Sequence, residues 1–243
     1  MKKARPPRRR RARARTASSA EVPRVNKERI SAYLASLEPM DDPKLNRLRA
    51  CAEADGVPIV RIETEAFLRT MVKVLRPQRV LEIGTAVGYS SIVMARAGAA
   101  WIDTIENYEK RIPIARGNIK DCGLDGRIRL LEGDAGDILK ELKQSGTETY
   151  DLVFLDAAKG QYLNWLPDIV RLMHPGSVLI TDNVLQDETV MESRFLIPRR
   201  ERTTHARMRD YLYELKHDAR LETSVIPAGD GISLSVLLDP EDQ

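Results

Sequence analysis

RVLEIGTAVGYSS, residues 79–91, runs a short apolar strand into a glycine and then opens a helix with small polar residues. The same grammar recurs downstream. WIDTIE (101–106), RIRLLEG (127–133), DLVFLD (151–156) and SVLITD (177–182) are strand-length apolar runs, each followed by a polar or amphipathic stretch. Strands that alternate with helices at this spacing imply a parallel sheet covered on both faces. After a helix-like segment around 203–217, the pattern changes to LETSVIP (221–227), the turn Ala228-Gly229-Asp230-Gly231, and ISLSVLL (232–238). Two strands joined by so short a turn read as an antiparallel hairpin. Upstream, Lys27 to Leu75 has apolar residues at helical spacing, broken near Pro39–Pro43 and Gly56–Pro58, so three helices should precede the first strand. The expected fold is α/β: a Rossmann-like, seven-stranded doubly wound sheet with helices on both faces and a C-terminal antiparallel hairpin.

A chain of 243 residues with 42% hydrophobic content suits one α/β domain, placed at 23–243. The first 20 residues hold nine Lys and Arg and no acid, which outweighs the net charge of +3, so the remainder is mildly acidic. Residues 1–22 form an Arg-rich tail with almost nothing to bury, expected to be disordered. The tail lacks the apolar segment of a secretory signal, and no run approaches membrane-spanning length. The expected location is therefore the cytoplasm, with no membrane partner. Cys51 and Cys122 lack metal-ligand spacing and read as packing residues in a reducing compartment.

Ligands of a doubly wound sheet sit outside the carboxyl ends of its strands. Glu82, Glu106, Asp134, Asp156, Asp182 and Asn183 all fall at or within two residues of such ends. Each alone could be a cap or turn residue; five successive strands ending this way point to a site. Gly84 and Gly88 would let the backbone approach a ligand, and Ser90 and Ser91 open a helix whose free N–H groups favour an anionic group. Glu106, 22 residues after Gly84, could accept from both hydroxyls of a ribose. Asp134 could accept from an adenine amino group beside the small Ala135, or could simply cap a helix. Together these stations describe a nucleoside with a charged tail, without saying which.

The set LEIGTAVGYS, TIE, GDA, LDAAKGQY and TDN resembles the class I methyltransferases, and within them the metal-dependent catechol-type O-methyltransferases. That resemblance implies S-adenosylmethionine as methyl donor and a homodimer. It also implies Mg²⁺ or a similar divalent cation on Asp156, Asp182 and Asn183, with Asp156 and Lys159 at the reacting oxygen and Val60 as a backbone contact to the donor. Three oxygen ligands, two of them anionic, suit a hard cation with open positions. The phrases VPIV (57–60), DAAKGQY, ITDNVL and IPAGDG further resemble bacterial tRNA 5-hydroxyuridine methyltransferases. The 5-hydroxyl and O4 of that base chelate much as a catechol does, which makes tRNA the expected partner and a small catechol-like acceptor the alternative. A non-catalytic RNA-binding protein is a third possibility. Animal catechol enzymes have His-Trp where this chain has Ala157 and Ala158, leaving room for a base carried on a polymer. Arg194, Arg199, Arg200, Arg202, Arg207 and Arg209 either meet phosphates or form a solvated face with Glu192, Glu201 and Asp210. His174, His205 and His217 match no motif.

Overall fold

The computed structural model describes residues 27–39, 42–146, 148–186 and 189–242, so the expectations for the Arg-rich tail lie outside the described residues. Three helices come first: α1 (Lys27–Leu37), α2 (Pro43–Ala54) and α3 (Ile62–Leu75). Then β1 (Arg79–Ile83), α4 (Tyr89–Ala97), β2 (Trp101–Glu106), α5 (Ile112–Asp121), β3 (Ile128–Glu132), α6 (Ala135–Gln144), β4 (Tyr150–Leu155), α7 (Tyr162–Arg171) and β5 (Met173–Thr181) alternate. The chain closes with α8 (Arg202–His217), β6 (Leu221–Ile226) and β7 (Ile232–Leu237). The sheet order is β3-β2-β1-β4-β5-β7-β6, with β7 antiparallel to both neighbours and the other pairings parallel. The winding direction reverses between β1 and β4, and such a reversal opens a crevice at the carboxyl ends of those strands.

Period-two alternation divides the core. Val80, Leu152, Phe154, Val178 and Ile180 point to one face, where Leu68 and Val72 of α3 and Ile92 of α4 pack. Leu81, Ile83, Val153, Leu155 and Leu179 point to the other, against Leu139 of α6, Ile169 of α7 and Leu215 of α8. Strands buried on both faces read as near-continuous apolar runs, which is why they stand out in the sequence. Local signals agree at α2: the Asp42 side chain accepts from the Lys44 and Leu45 amides at 3.0 and 3.2 Å, with Pro43 at the first helical turn.

Two details differ from the sequence reading. β5 begins at Met173 rather than 177, although His174-Pro175-Gly176 has the look of a turn. The Ser177 hydroxyl donates to the Tyr150 carbonyl at 2.7 Å and accepts from the His174 amide at 3.0 Å, holding this irregular segment against β4 where the register shifts. Cys51 is exposed on α2, while Cys122 packs against the core, so only the second is a packing residue.

At the amino end of the sheet, fully buried Asp103 of β2 collects four donors. Arg129 Nε lies at 2.7 Å, the Tyr150 hydroxyl at 2.7 Å, Trp101 Nε1 at 2.9 Å and Arg79 Nη2 at 3.2 Å. Burial and the Asp103 charge raise the Tyr150 phenol far above its ordinary pKa, so it stays a donor. Asp103→Ala should destabilise the fold by about 3 kcal/mol, the low end for a broken buried pair because Arg129 is partly solvated. Urea unfolding reads this loss, and ligand binding at the opposite end of the strands should survive it.

Candidate functional site

A cavity of about 600 Å³ lies at the carboxyl ends of β1, β2, β4 and β5. Of the residues singled out from sequence, Val60, Gly84, Ser90, Glu106, Ala135, Asp156, Lys159, Asp182 and Asn183 line it. Its floor is set by how closely β1 and β4 approach: a Cβ on Gly84, where φ is +105°, would lie 2.0 Å from the Asp156 carbonyl oxygen. Only glycine fits there.

Glu82, Gly88 and Asp134 do not line the cavity. Glu82 is fully buried, bonded to the hydroxyls of Ser91 and Thr104, and burial pushes its carboxyl up to about 6. It braces β2 and the start of α4. Gly88 caps α4 with φ +84° and faces α5, where an added Cβ would touch Ile119 and Ala115. Asp134 caps α6, its Oδ1 accepting from the Gly136 amide at 2.8 Å, while Gly133 and Ala135 on either side reach the cavity. The helix cap engages its Oδ1.

Glu106 organises one half of the cavity. Its Oε2 accepts from the Ala86 amide at 2.7 Å, and its Oε1 from the Asn107 and Tyr108 amides at 3.0 and 2.9 Å. Ala86 is held at φ +48°, an uncommon conformation for a residue with a Cβ. A carboxylate has about four acceptor positions, so Glu106 joins the two loops and retains capacity for a ligand hydroxyl. Tyr108 and Trp165 line the same half. Sequence reasoning missed both; tyrosine two residues past a strand-end acid was the available signal for the first.

A second unit missed from sequence positions Val60. Arg49 on α2 donates through Nη2 to the Val60 carbonyl at 3.1 Å and to Glu65 at 2.7 Å, and through Nε to the Tyr89 hydroxyl at 3.1 Å. The Tyr89 hydroxyl donates to the same Glu65 oxygen at 2.6 Å, and the guanidinium lies 4.7 Å from the ring centroid. These contacts tie α2, α3 and α4 to the loop ending in Val60, and Tyr89 itself lines the cavity. Arg49 sits in an unremarkable helical stretch, so nothing in the sequence marked it.

The other half gathers acids and cations. The Asp156 amide donates to the Ile83 carbonyl at 3.0 Å and the Asp182 amide to the Leu155 carbonyl at 3.1 Å, which aligns the two aspartates on neighbouring strand ends. The Asp182 carboxylate accepts from the Thr64 hydroxyl at 3.1 Å. Asn183, at φ +57°, turns the chain toward the β6–β7 hairpin, where Leu185 and Val184 donate to the Asp230 and Gly231 carbonyls at 2.8 and 3.0 Å. Arg61 pairs with Asp230 at 2.6 Å beside this group. Burial raises both Asp156 and Asp182 above the ordinary carboxylate range, and neighbouring carboxylates push in the same direction. Two crowded anions and an amide oxygen form a donor set that a hard divalent cation would relieve. Among the described residues no group of three His, Cys, Asp or Glu is arranged to hold a metal ion, so Asn183 would have to complete the set. His174, His205 and His217 do not line the cavity.

A nucleotide-crevice fold with this paired-acid corner is that of a class I methyltransferase, and comparison with known proteins narrows the class. The family described as O-methyltransferase matches residues 34–237. A catechol O-methyltransferase of Niastella koreensis is 33% identical over 162 residues, covering 65% of this chain and 73% of that protein. One from Mycobacterium tuberculosis is 32% identical over 161 residues, covering 65% and 72%. The structure of an O-methyltransferase from Bacillus cereus in complex with SAH superposes with a TM-score of 0.76 at 25% identity, covering 86% of this chain and 96% of that one. The chain belongs to the S-adenosylmethionine-dependent O-methyltransferase family. Membership in an enzyme family sets aside the non-catalytic RNA-binding alternative. No helix among the described residues is long and apolar enough to cross a membrane.

Two outcomes follow for the half of the cavity around Glu106 and Val60. Glu106→Ala should weaken S-adenosylmethionine binding by about 1.5 to 3 kcal/mol in calorimetry, since it removes a charged acceptor and the bracket between two loops. Arg49→Ala, which touches no cavity surface, should still reduce donor affinity about tenfold, or about 1.4 kcal/mol, by releasing Val60 and Tyr89.

Proposed function

We propose that this enzyme methylates a hydroxyl group that has a second oxygen beside it, and that its acceptor is 5-hydroxyuridine at the wobble position of tRNA, giving 5-methoxyuridine. The observation that carries the chemistry is the corner where Asp156, Asp182, Asn183 and Lys159 line one end of the cavity. In this reading Asp156, Asp182 and Asn183 hold Mg²⁺ or a similar cation. Bound there, it would supply Lewis-acid charge to the paired acceptor oxygens. Glu106 and Ala135 hold the nucleoside of S-adenosylmethionine and Gly84 and Ser90 its amino-acid end, so the methyl group faces the acceptor. Lys159, three residues beyond Asp156, receives the hydroxyl proton or steadies the oxyanion. As the O–CH₃ bond forms, the S–CH₃ bond breaks and S-adenosylhomocysteine leaves.

The polymeric acceptor is supported by the small side chains of Ala157 and Ala158 beside that corner and by exposed Arg194, Arg199, Arg200, Arg207 and Arg209 on the segment that follows it. Arg207 donates to the Gly160 carbonyl at 2.7 Å, which brings α8 against the Lys159 turn. The basic segment 1–22 would add phosphate contacts. A homodimer in the cytoplasm completes the reading, and the free Cys51 and Cys122 fit a reducing compartment. The catechol O-methyltransferases among the relatives favour a second reading, in which the acceptor is a small catechol-like metabolite.

The two readings separate in one assay. An anticodon stem-loop carrying 5-hydroxyuridine should be methylated with a kcat/KM far above that of free 5-hydroxyuridine or catechol, because phosphates remote from the reacting oxygen add binding energy. Efficient turnover of catechol with an untouched stem-loop would reject the tRNA acceptor. Exhaustive chelation should stop transfer and Mg²⁺ should restore it; full turnover by metal-free enzyme would reject the roles of Asp156, Asp182 and Asn183.

A further inference from the structure

Beside the catalytic corner the chain displays apolar side chains that the fold does not need. Met191 is 67% exposed, Phe195 85% and Leu196 72%. The backbone makes this arrangement specific. A turn from Ser193 to Leu196 is closed by the Leu196 amide on the Ser193 carbonyl at 2.8 Å, with Arg194 and Phe195 at its central positions. A second turn from Pro198 to Glu201, closed at 2.9 Å, has Arg199 and Arg200 at its centre. Central residues of a β-turn project away from the chain. Between the turns, Ile197 is buried at 5% exposure and its carbonyl accepts from Arg202 Nε at 2.9 Å, fastening the pair to α8. Upstream, Val190 is buried and the Glu192 carbonyl accepts from Arg209 at 3.5 Å. The segment is thus held at several points while it offers one aromatic ring and three guanidinium groups to solvent.

We propose that the tandem turns 193–201 form a platform for unpaired RNA, with Phe195 stacking on a nucleotide that flanks the modified base and Arg194, Arg199 and Arg200 meeting the adjoining phosphates. An exposed ring among arginines is what single-stranded nucleic acid selects, since every base has a face to stack and every linkage a charge to neutralise. A lone hydrophobic contact with a second protein copy would not call for so much positive charge. α8 connects the platform to the corner, since it bonds to the turns through Arg202 and to the Lys159 turn through Arg207. Glu201 pairs with Arg200 at 3.0 Å on the surface, a contact that a phosphate can displace. The proposal rests on the tRNA reading and adds to it which residues hold the loop.

The test uses full-length enzyme and an anticodon stem-loop with 5-hydroxyuridine at the wobble position. Methylation of this RNA by wild type decides the tRNA reading; the variants then decide the platform. Phe195→Ala should raise the RNA Kd about tenfold, or about 1.4 kcal/mol, while Phe195→Trp should restore most of it. Replacing single loop nucleotides beside the wobble base by abasic sites should identify one at which the Phe195→Ala penalty disappears. Arg199→Ala with Arg200→Ala should lower the slope of log Kd against log salt by about 1.4. Calorimetry with S-adenosylmethionine certifies that each variant is folded. Wild-type RNA affinity in folded Phe195→Ala, an equal penalty on every abasic RNA, or a Phe195→Ala change in oligomeric state accompanying the affinity loss would each overturn the platform.

Discussion

β1 and β4 approach so closely at their carboxyl ends that no side chain fits at residue 84, where a Cβ would lie 2.0 Å from the Asp156 carbonyl oxygen. Much else follows from that contact. It lets the Asp156 amide reach the Ile83 carbonyl, and it brings the loop after β1 to the residues after β4 without intervening atoms. On the other side of β4, the Asp182 amide bonds to the Leu155 carbonyl and sets Asp182 beside Asp156, so two carboxylates share a partly enclosed corner. Burial, and then the neighbouring carboxylates, raise the proton affinity of both. Placement of these acids in one cavity is therefore a matter of strand spacing before it is one of side-chain chemistry.

The acidic groups of the site are held in different ways. Glu106 is braced by three backbone amides, so its charge is stabilised by fixed dipoles and its position by two loops. Glu82 is fully enclosed and braced by hydroxyls, and its carboxyl is displaced upward by burial. Asp182 has one hydroxyl donor, from Thr64, and a further acid nearby in Asp230, which Arg61 balances. A gradient of compensation thus runs across the cavity, from well-satisfied at Glu106 to crowded at the Asp156–Asp182 corner. One end of the cavity is thus firmly braced, while the other concentrates negative charge.

How much of this was legible depended on whether the signal was local. Strands buried on both faces announce themselves as apolar runs, and acids at their ends mark the crevice, so the seven-stranded order of elements and the acids Glu106, Asp156 and Asp182 of the cavity could be read directly. Capping, too, is local: Asp134 answers to helix α6, and the sequence had offered that reading beside the adenine one. Contacts between remote segments left no mark. Arg49 joins Val60, Glu65 and Tyr89 across three helices, and nothing in the α2 sequence distinguishes it from a solvated arginine. The early start of β5 was hidden for a related reason, since Ser177 repairs a Pro-Gly interruption through bonds to Tyr150 and His174 that only the pairing creates.

The position of β7 has a bearing on the order in which the molecule can be built. Residues 232–237 lie between β5 and β6, although they follow both in the chain. Until they emerge, Val178 to Thr181 of β5 form an open edge, and an open apolar edge invites pairing with other chains. The turn preceding β7 also supplies the Gly231 carbonyl to Val184 and Asp230 to Arg61, the second contact reaching back to the start of α3. The corner that holds Asp156, Asp182 and Asn183 is consequently buttressed only when β7 is inserted beside β5.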